Sequence, residues 1–120
     1  MLNFHAHLYF QPPTRDSALK IRQALANLPE VKIQLGQINE GPRGPHTVPS
    51  YEIYIRNSDF AAVVQWLVLN HGPHSVLIHP LTENEVEDHT QRAMWLGAKQ
   101  DLNLSALSGP HVNPDLGGPT

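Results

Sequence analysis

The chain has 120 residues, of which 40% are hydrophobic and 16% charged, with a formal net charge of −3. Such a chain makes one globular domain around one modest core, and its eight scattered Lys and Arg residues form no patch of the kind nucleic acid requires. The lack of cysteine excludes disulfides and thiolate metal sites, leaving nitrogen and oxygen as the only metal ligands on offer.

Residues 2–10 alternate, with Leu2, Phe4, Ala6, Leu8 and Phe10 on one side and Asn3, His5, His7 and Tyr9 on the other, which predicts a strand with one apolar face. Pro12 and Pro13 end it, and Thr14 is expected to cap a helix whose core stripe is Ala18, Ile21, Leu25 and Leu28, stopped by Pro29. VKIQLGQI (31–38) alternates as a half-buried strand, and the three prolines and two glycines of 39–49 predict a loop. SYEIYIR (50–56) reads as a strand with Tyr51, Ile53 and Ile55 opposite Glu52, Tyr54 and Arg56. Ser58 is expected to cap a second helix carrying Phe60, Val63, Val64 and Leu67. Its most apolar stretch, 60–69, is too short to cross a bilayer. With no signal-like N-terminus, a cytoplasmic protein without a membrane partner is expected. Gly72 and Pro73 end that helix, and SVLIH (75–79) forms a strand with Val76 and Ile78 toward the core.

The order β-α-β-β-α-β is the ferredoxin-like pattern of an α+β domain. It predicts a four-stranded antiparallel sheet with two helices on one face and the other face open. In this frame the first strand is taken as parallel to the third and antiparallel to the fourth. Thr82 and Glu85 match a capping box, so a C-terminal helix is expected over 84–97. Glu83, Glu85, Glu87 and Asp88 then suit its positive end as a solvated acidic face. The domain is expected to span 1–107 and a flexible tail 108–120.

The unusual feature is eight histidines, at 5, 7, 46, 71, 74, 79, 89 and 111. In the expected topology the end of the fourth strand lies beside the start of the first, bringing His79 to His5. The loop before the third strand is expected to carry His46 to the same corner, with His7 one step along. H-x-H on a strand says little alone; convergence from distant segments predicts a metal site. Imidazole suits zinc, iron, copper and nickel alike. Glu52, on the open face, and Glu40, in the loop, are candidate ligands or acceptors that orient an imidazole, and Glu52 could equally pair with Arg56. His71, His74 and His111 join no grouping.

HAHLYF, GPHTVPSYEIYI, LIHPLT and DHTQRAMWLG, in this order over about residues 3–97, resemble the DOPA 4,5-dioxygenase family. The resemblance implies a ferredoxin-like fold and extradiol cleavage of a catechol such as L-DOPA by O2 at Fe(II), with zinc or another divalent metal as the alternative ion. The family's histidine motifs fall on His5, His7, His46, His79 and His89. With that chemistry in view, His5, His46 and His79 are the expected metal ligands and His7 or His89 the acid/base. Tyr9, Tyr54 and Arg56 are the expected substrate contacts and Glu52 the residue behind a ligand. Arg92 and Trp95, three apart, are expected to share one helical face.

Two other readings compete: a non-enzymatic metal-binding or interaction domain, and a zinc-dependent enzyme acting on another small molecule. No G-x-S-x-G motif or phosphate-cradling glycine loop supports other enzyme classes. A homodimer is expected from the open sheet face and from Val86, Met94 and Leu96.

Overall fold

The computed structural model describes residues 2–107, so the expected tail at 108–120 and His111 lie outside the described residues. The elements are β1 (Phe4–Tyr9), α1 (Arg15–Ala26), β2 (Gln34–Asn39), β3 (Ser50–Ile55), α2 (Phe60–Asn70) and β4 (Val76–Pro80), followed by α3 (Glu85–Asp88) and β5 (Met94–Leu96). The first six follow the ferredoxin-like order. Their sheet runs β2-β3-β1-β4-β5, each strand antiparallel to its neighbours.

Alternation sets the layers. Ala6 and Leu8 of β1, Tyr51, Ile53 and Ile55 of β3, and Val76 and Ile78 of β4 pack with Ala18 and Leu25 of α1 and Val63 and Leu67 of α2. Both helices therefore cover one face. Tyr51 is the polar exception in this core, and its hydroxyl donates to the Ala18 carbonyl at 2.7 Å. Tyr51→Phe keeps the ring and loses that bond, so about 1 kcal/mol of stability should go. A denaturant titration showing an unchanged midpoint would contradict this.

Five expectations are corrected. First, β1 runs antiparallel to β3, not parallel, with Tyr9 opposite Ser50 and Phe4 opposite Ile55. The reason lies in the chain path: α1 returns the chain so that β2 points the same way as β1, and the 40–49 loop then reverses it. Second, the sheet has five strands rather than four, because β5 pairs with β4. An uncovered edge on β4 would leave a row of backbone groups unpaired, and Met94–Leu96 satisfies them.

Third, the helix expected over 84–97 is one turn long. Asn84, not Thr82, caps it, accepting from the Glu87 amide, and the amides of Thr90 and Arg92 both fold back onto the Glu87 carbonyl. Arg92 and Trp95 consequently share no helix. Fourth, Ser58 does not cap α2. A 3-10 turn, Asn57–Asp59, leads into it, and Asp59 holds the cap position without a side-chain cap bond. Thr14 does hold the cap position of α1, but its hydroxyl turns back onto Gln11.

Fifth, the second sheet face is partly covered, over β1 and β4. The 40–49 loop brings His46 over β1, and the segment after β4 brings His89 over His79. His46 is further tied to Leu102 by a backbone bridge. Among the described residues no helix is long and apolar enough to cross a membrane.

Candidate metal centre

Cross-strand partners share a face of the sheet, and here that rule builds the site row by row. His5 lies opposite Tyr54 on β3 and His79 on β4. One step along, His7 lies opposite Glu52 and Leu77, and Leu77 in turn opposite Trp95 on β5. Tyr9 follows, stacked on Trp95 with ring centroids 5.9 Å apart. Two rings then close over these rows: His46 lies 4.1 Å from His7, and His89 lies 4.0 Å from His79.

All five imidazoles are buried, none more than 3% exposed. His7 is their hub, with the rings of His46, His79, His5 and His89 at 4.1, 5.1, 5.6 and 6.4 Å. His7 Nε2 stands 3.0 Å from His79 Nε2. One nitrogen from each of His5, His7 and His79 can be chosen so that all three lie within 4.8 Å of one another. An imidazole nitrogen sits about 2.0–2.1 Å from a bound zinc ion, which puts neighbouring ligand atoms about 2.9–3.4 Å apart. The His7–His79 separation falls in that range, so the donor set fits a divalent cation.

Hydrogen bonds fix which nitrogens face inward. A carbonyl only accepts, so His79 Nδ1 donates to the Pro80 carbonyl at 2.9 Å and His89 Nδ1 to the Glu85 carbonyl at 2.7 Å. In the neutral ring this leaves Nε2 as the lone-pair atom, the form a metal takes. Burial holds the His7 pKa well below its ordinary value, and the neighbouring histidines push the same way. Burial first, and His89 second, bring His46 down to about 3. Both rings are therefore neutral near pH 7, the state in which an imidazole can ligate. The Tyr9 hydroxyl meets His46 Nδ1 at 2.6 Å, and burial pushes its phenol pKa up, so Tyr9 stays protonated.

The expected site residues separate in space. His5, His7, His46, His79, His89, Tyr9 and Tyr54 are brought together. Glu52 joins them, with Oε1 3.4 Å from His5 Nδ1. Arg56 is placed elsewhere, paired with Asp59 at 3.3 Å. Glu40 is held at the surface by Arg15 at 2.7 Å. Because β3 is antiparallel to β1, His46 reaches the Tyr9 end of the row rather than the His5 corner. His74 is buried but structural: Ser17 Oγ lies 2.9 Å from its Nε2, and its Nδ1 donates to the Tyr9 carbonyl at 3.1 Å.

A cavity of about 220 Å³ opens beside the cluster, with His7, His46, Glu52 and Arg43 in its walls. That is below the usual volume for drug-sized ligands, about 300–1,000 Å³, and suits a single ring. Sequence reasoning missed Arg43, although its place in the turn R-G-P-H, three residues before His46, was a signal. It also missed Asp88, which is fully buried rather than solvated and accepts from the Thr82 amide and hydroxyl and from Arg92. Asp88→Ala should cost about 2 kcal/mol and loosen the turn that carries His89, read as a lower melting temperature. A variant that melts with the parent would refute that bracing role.

A sequence model of the Dopa 4,5-dioxygenase family matches residues 4–106. The chain is 39% identical over 111 residues to a DOPA 4,5-dioxygenase of Amanita muscaria, covering 87% of this chain and 49% of that protein. It is 35% identical over 116 residues to an uncharacterised 21.2 kDa protein of Botryotinia fuckeliana, covering 87% of this chain and 62% of that one. The chain thus spans about half to three-fifths of the length of these relatives. Among solved structures, a protein of Nostoc punctiforme described as a candidate dioxygenase superposes with a TM-score of 0.85 at 37% identity, covering 89% of this chain and 91% of that one.

Proposed function

The chain belongs to the Dopa 4,5-dioxygenase family, and on that premise we propose that it opens catechol rings in the extradiol manner, using O2 and a histidine-held Fe(II). One observation carries the reading. Three buried imidazoles, His5, His7 and His79, present nitrogens close enough to share one ion, beside a cavity sized for a single ring. Bound there, the ion would supply positive charge that draws both catechol oxygens and O2 into one place.

The chain's own groups divide the remaining work. His5, His7 and His79 are assigned to the metal. His46, a neutral ring in the cavity wall, orients a catechol hydroxyl by hydrogen bonding; Tyr9 holds its Nδ1. His89, with Nδ1 fixed on Glu85, is the proton-handling group. Glu52, next to His5, steadies that imidazole. Leu77 and Tyr54, both buried, lie beside His7 and His5 on the neighbouring strands. Arg56, committed to Asp59, has no part in this assignment.

The test is direct. Iron-loaded protein mixed with a simple catechol in air should yield a yellow ring-fission product. His89→Ala should keep the metal and lose rate by about 100-fold or more, the scale of a lost proton-transfer group. Metal binding without colour from any catechol would overturn the dioxygenase reading and favour a zinc site or a non-enzymatic domain.

We also propose that two copies associate through the exposed apolar residues Val86 and Met94. Light scattering that gives the mass of one chain would refute this.

A further inference from the structure

Resting on the catechol reading above, we propose that Arg43 selects catechols bearing a carboxylate side group, which its guanidinium receives at the mouth of the cavity beside His7 and His46. Among the described residues Arg43 is the one Lys or Arg in that cavity's wall. Its charge is also unpaired with any carboxylate among the described residues. Arg15 is paired with Glu40, Arg56 with Asp59, and Arg92 with Glu87 and Asp88. Arg22 donates to the Gly36 carbonyl and lies over the Tyr51 ring. Among the described residues, no carboxylate lies within ion-pair distance of Arg43.

The backbone that carries Arg43 is fixed with unusual care for an exposed turn. The Arg43 amide donates to the His46 carbonyl at 3.0 Å, and the His46 amide returns a bond to the Arg43 carbonyl at 2.9 Å. Gly44 supplies the positive φ, 56°, that the turn requires, and Pro45 stiffens the next position. The Asn103 amide then ties the Pro45 carbonyl at 2.8 Å. The root of the Arg43 side chain therefore holds a set position relative to the buried His46 ring.

The cavity's charge is lopsided in a way that selects for an anion at this end. Glu52 faces it from the sheet beside His5, whereas Gln37 and Asn39 add only neutral hydrogen-bonding groups. With a ring placed against His7 and His46, a carboxylate tail is attracted to the Arg43 wall and repelled from the Glu52 wall. Guanidinium keeps its charge at any working pH and offers a two-pronged match to a carboxylate.

Calorimetric titration of the purified protein without oxygen tests this, using dihydroxyphenylacetate against methylcatechol. The carboxylated ligand should bind about ten-fold tighter, the worth of one charge-assisted contact at a half-open site. Arg43→Gln should weaken dihydroxyphenylacetate about ten-fold and leave methylcatechol unchanged, and Arg43→Glu should reverse the preference toward cationic dopamine. Equal weakening of both ligands by Arg43→Gln, no change in either, or no binding of either to the parent would overturn the proposal. Ring-fission assays in parallel keep the ideas apart: absent turnover sinks the dioxygenase reading, while Arg43 selectivity is judged on binding alone.

Discussion

Replacing His7 with alanine is expected to abolish metal retention and turnover together while leaving the fold standing. His7 is the ring that every other histidine of the cluster surrounds, and its Nε2 makes the 3.0 Å approach to His79. Its loss leaves two of three donors and opens the floor of the cavity. Removing a group that only supports a metal ligand typically costs 10–100-fold, so losing a ligand should cost more than about 100-fold in metal affinity. The fold should survive because His7 points away from the apolar layer to which Ala6 and Leu8 belong. His74→Ala provides the contrast, being equally buried but with its ring bonded to Ser17 and the Tyr9 carbonyl rather than to the histidine cluster. It should lose about 1–2 kcal/mol of stability and keep its full metal content. Metal analysis beside thermal melts reads both; a metal-replete His7→Ala protein would remove the trio from consideration.

Acid should destabilise the metal-free protein from about pH 6.5 downward, well before its carboxylates titrate. Burial keeps His46 neutral to about pH 3 and holds the His7 pKa well below its ordinary value. The unfolded chain regains the ordinary value of about 6.5, so below that pH it binds more protons than the folded chain does. Stability therefore rises with pH across this window and is lost as pH falls through it; above about 6.5 neither ring contributes a slope. At about pH 5 the His46 share of the loss is roughly 2 kcal/mol, and His7 adds to it in the same direction. Melts between about pH 7 and pH 5 measure it, and replacing both rings with phenylalanine should make the curve shallower, leaving the smaller slope that buried His74 contributes. Because protons and a cation compete for the same nitrogens, bound metal should shift the acid transition lower. A melting temperature unchanged over this range would show the rings are not held neutral.

The fold was legible where the signal is periodic. The two-residue alternation of 2–10, 50–56 and 75–79 identified both faces of β1, β3 and β4, including which histidines share a face. The stripes at Ala18–Leu28 and Phe60–Leu67 identified both helices. The last segment misled because Ala93, Met94 and Leu96 are good helix formers, whereas Met94–Leu96 is held by the open edge of β4. Three residues are too few to show alternation.

What the sequence alone determined, then, is the chemistry on offer: imidazole nitrogen donors on one face of a strand, no thiolate, and one modest core. Side-chain type and local period are properties of neighbouring residues, so they can be read without knowing where the chain goes. Which imidazoles meet was decided by the tertiary structure. Antiparallel pairing of β1 with β3 sent His46 to the Tyr9 end and made His7 the centre, and the turn after β4 folded His89 onto His79. Strand direction depends on the path of the whole chain, where a single reversal moves a residue from one end of a row to the other.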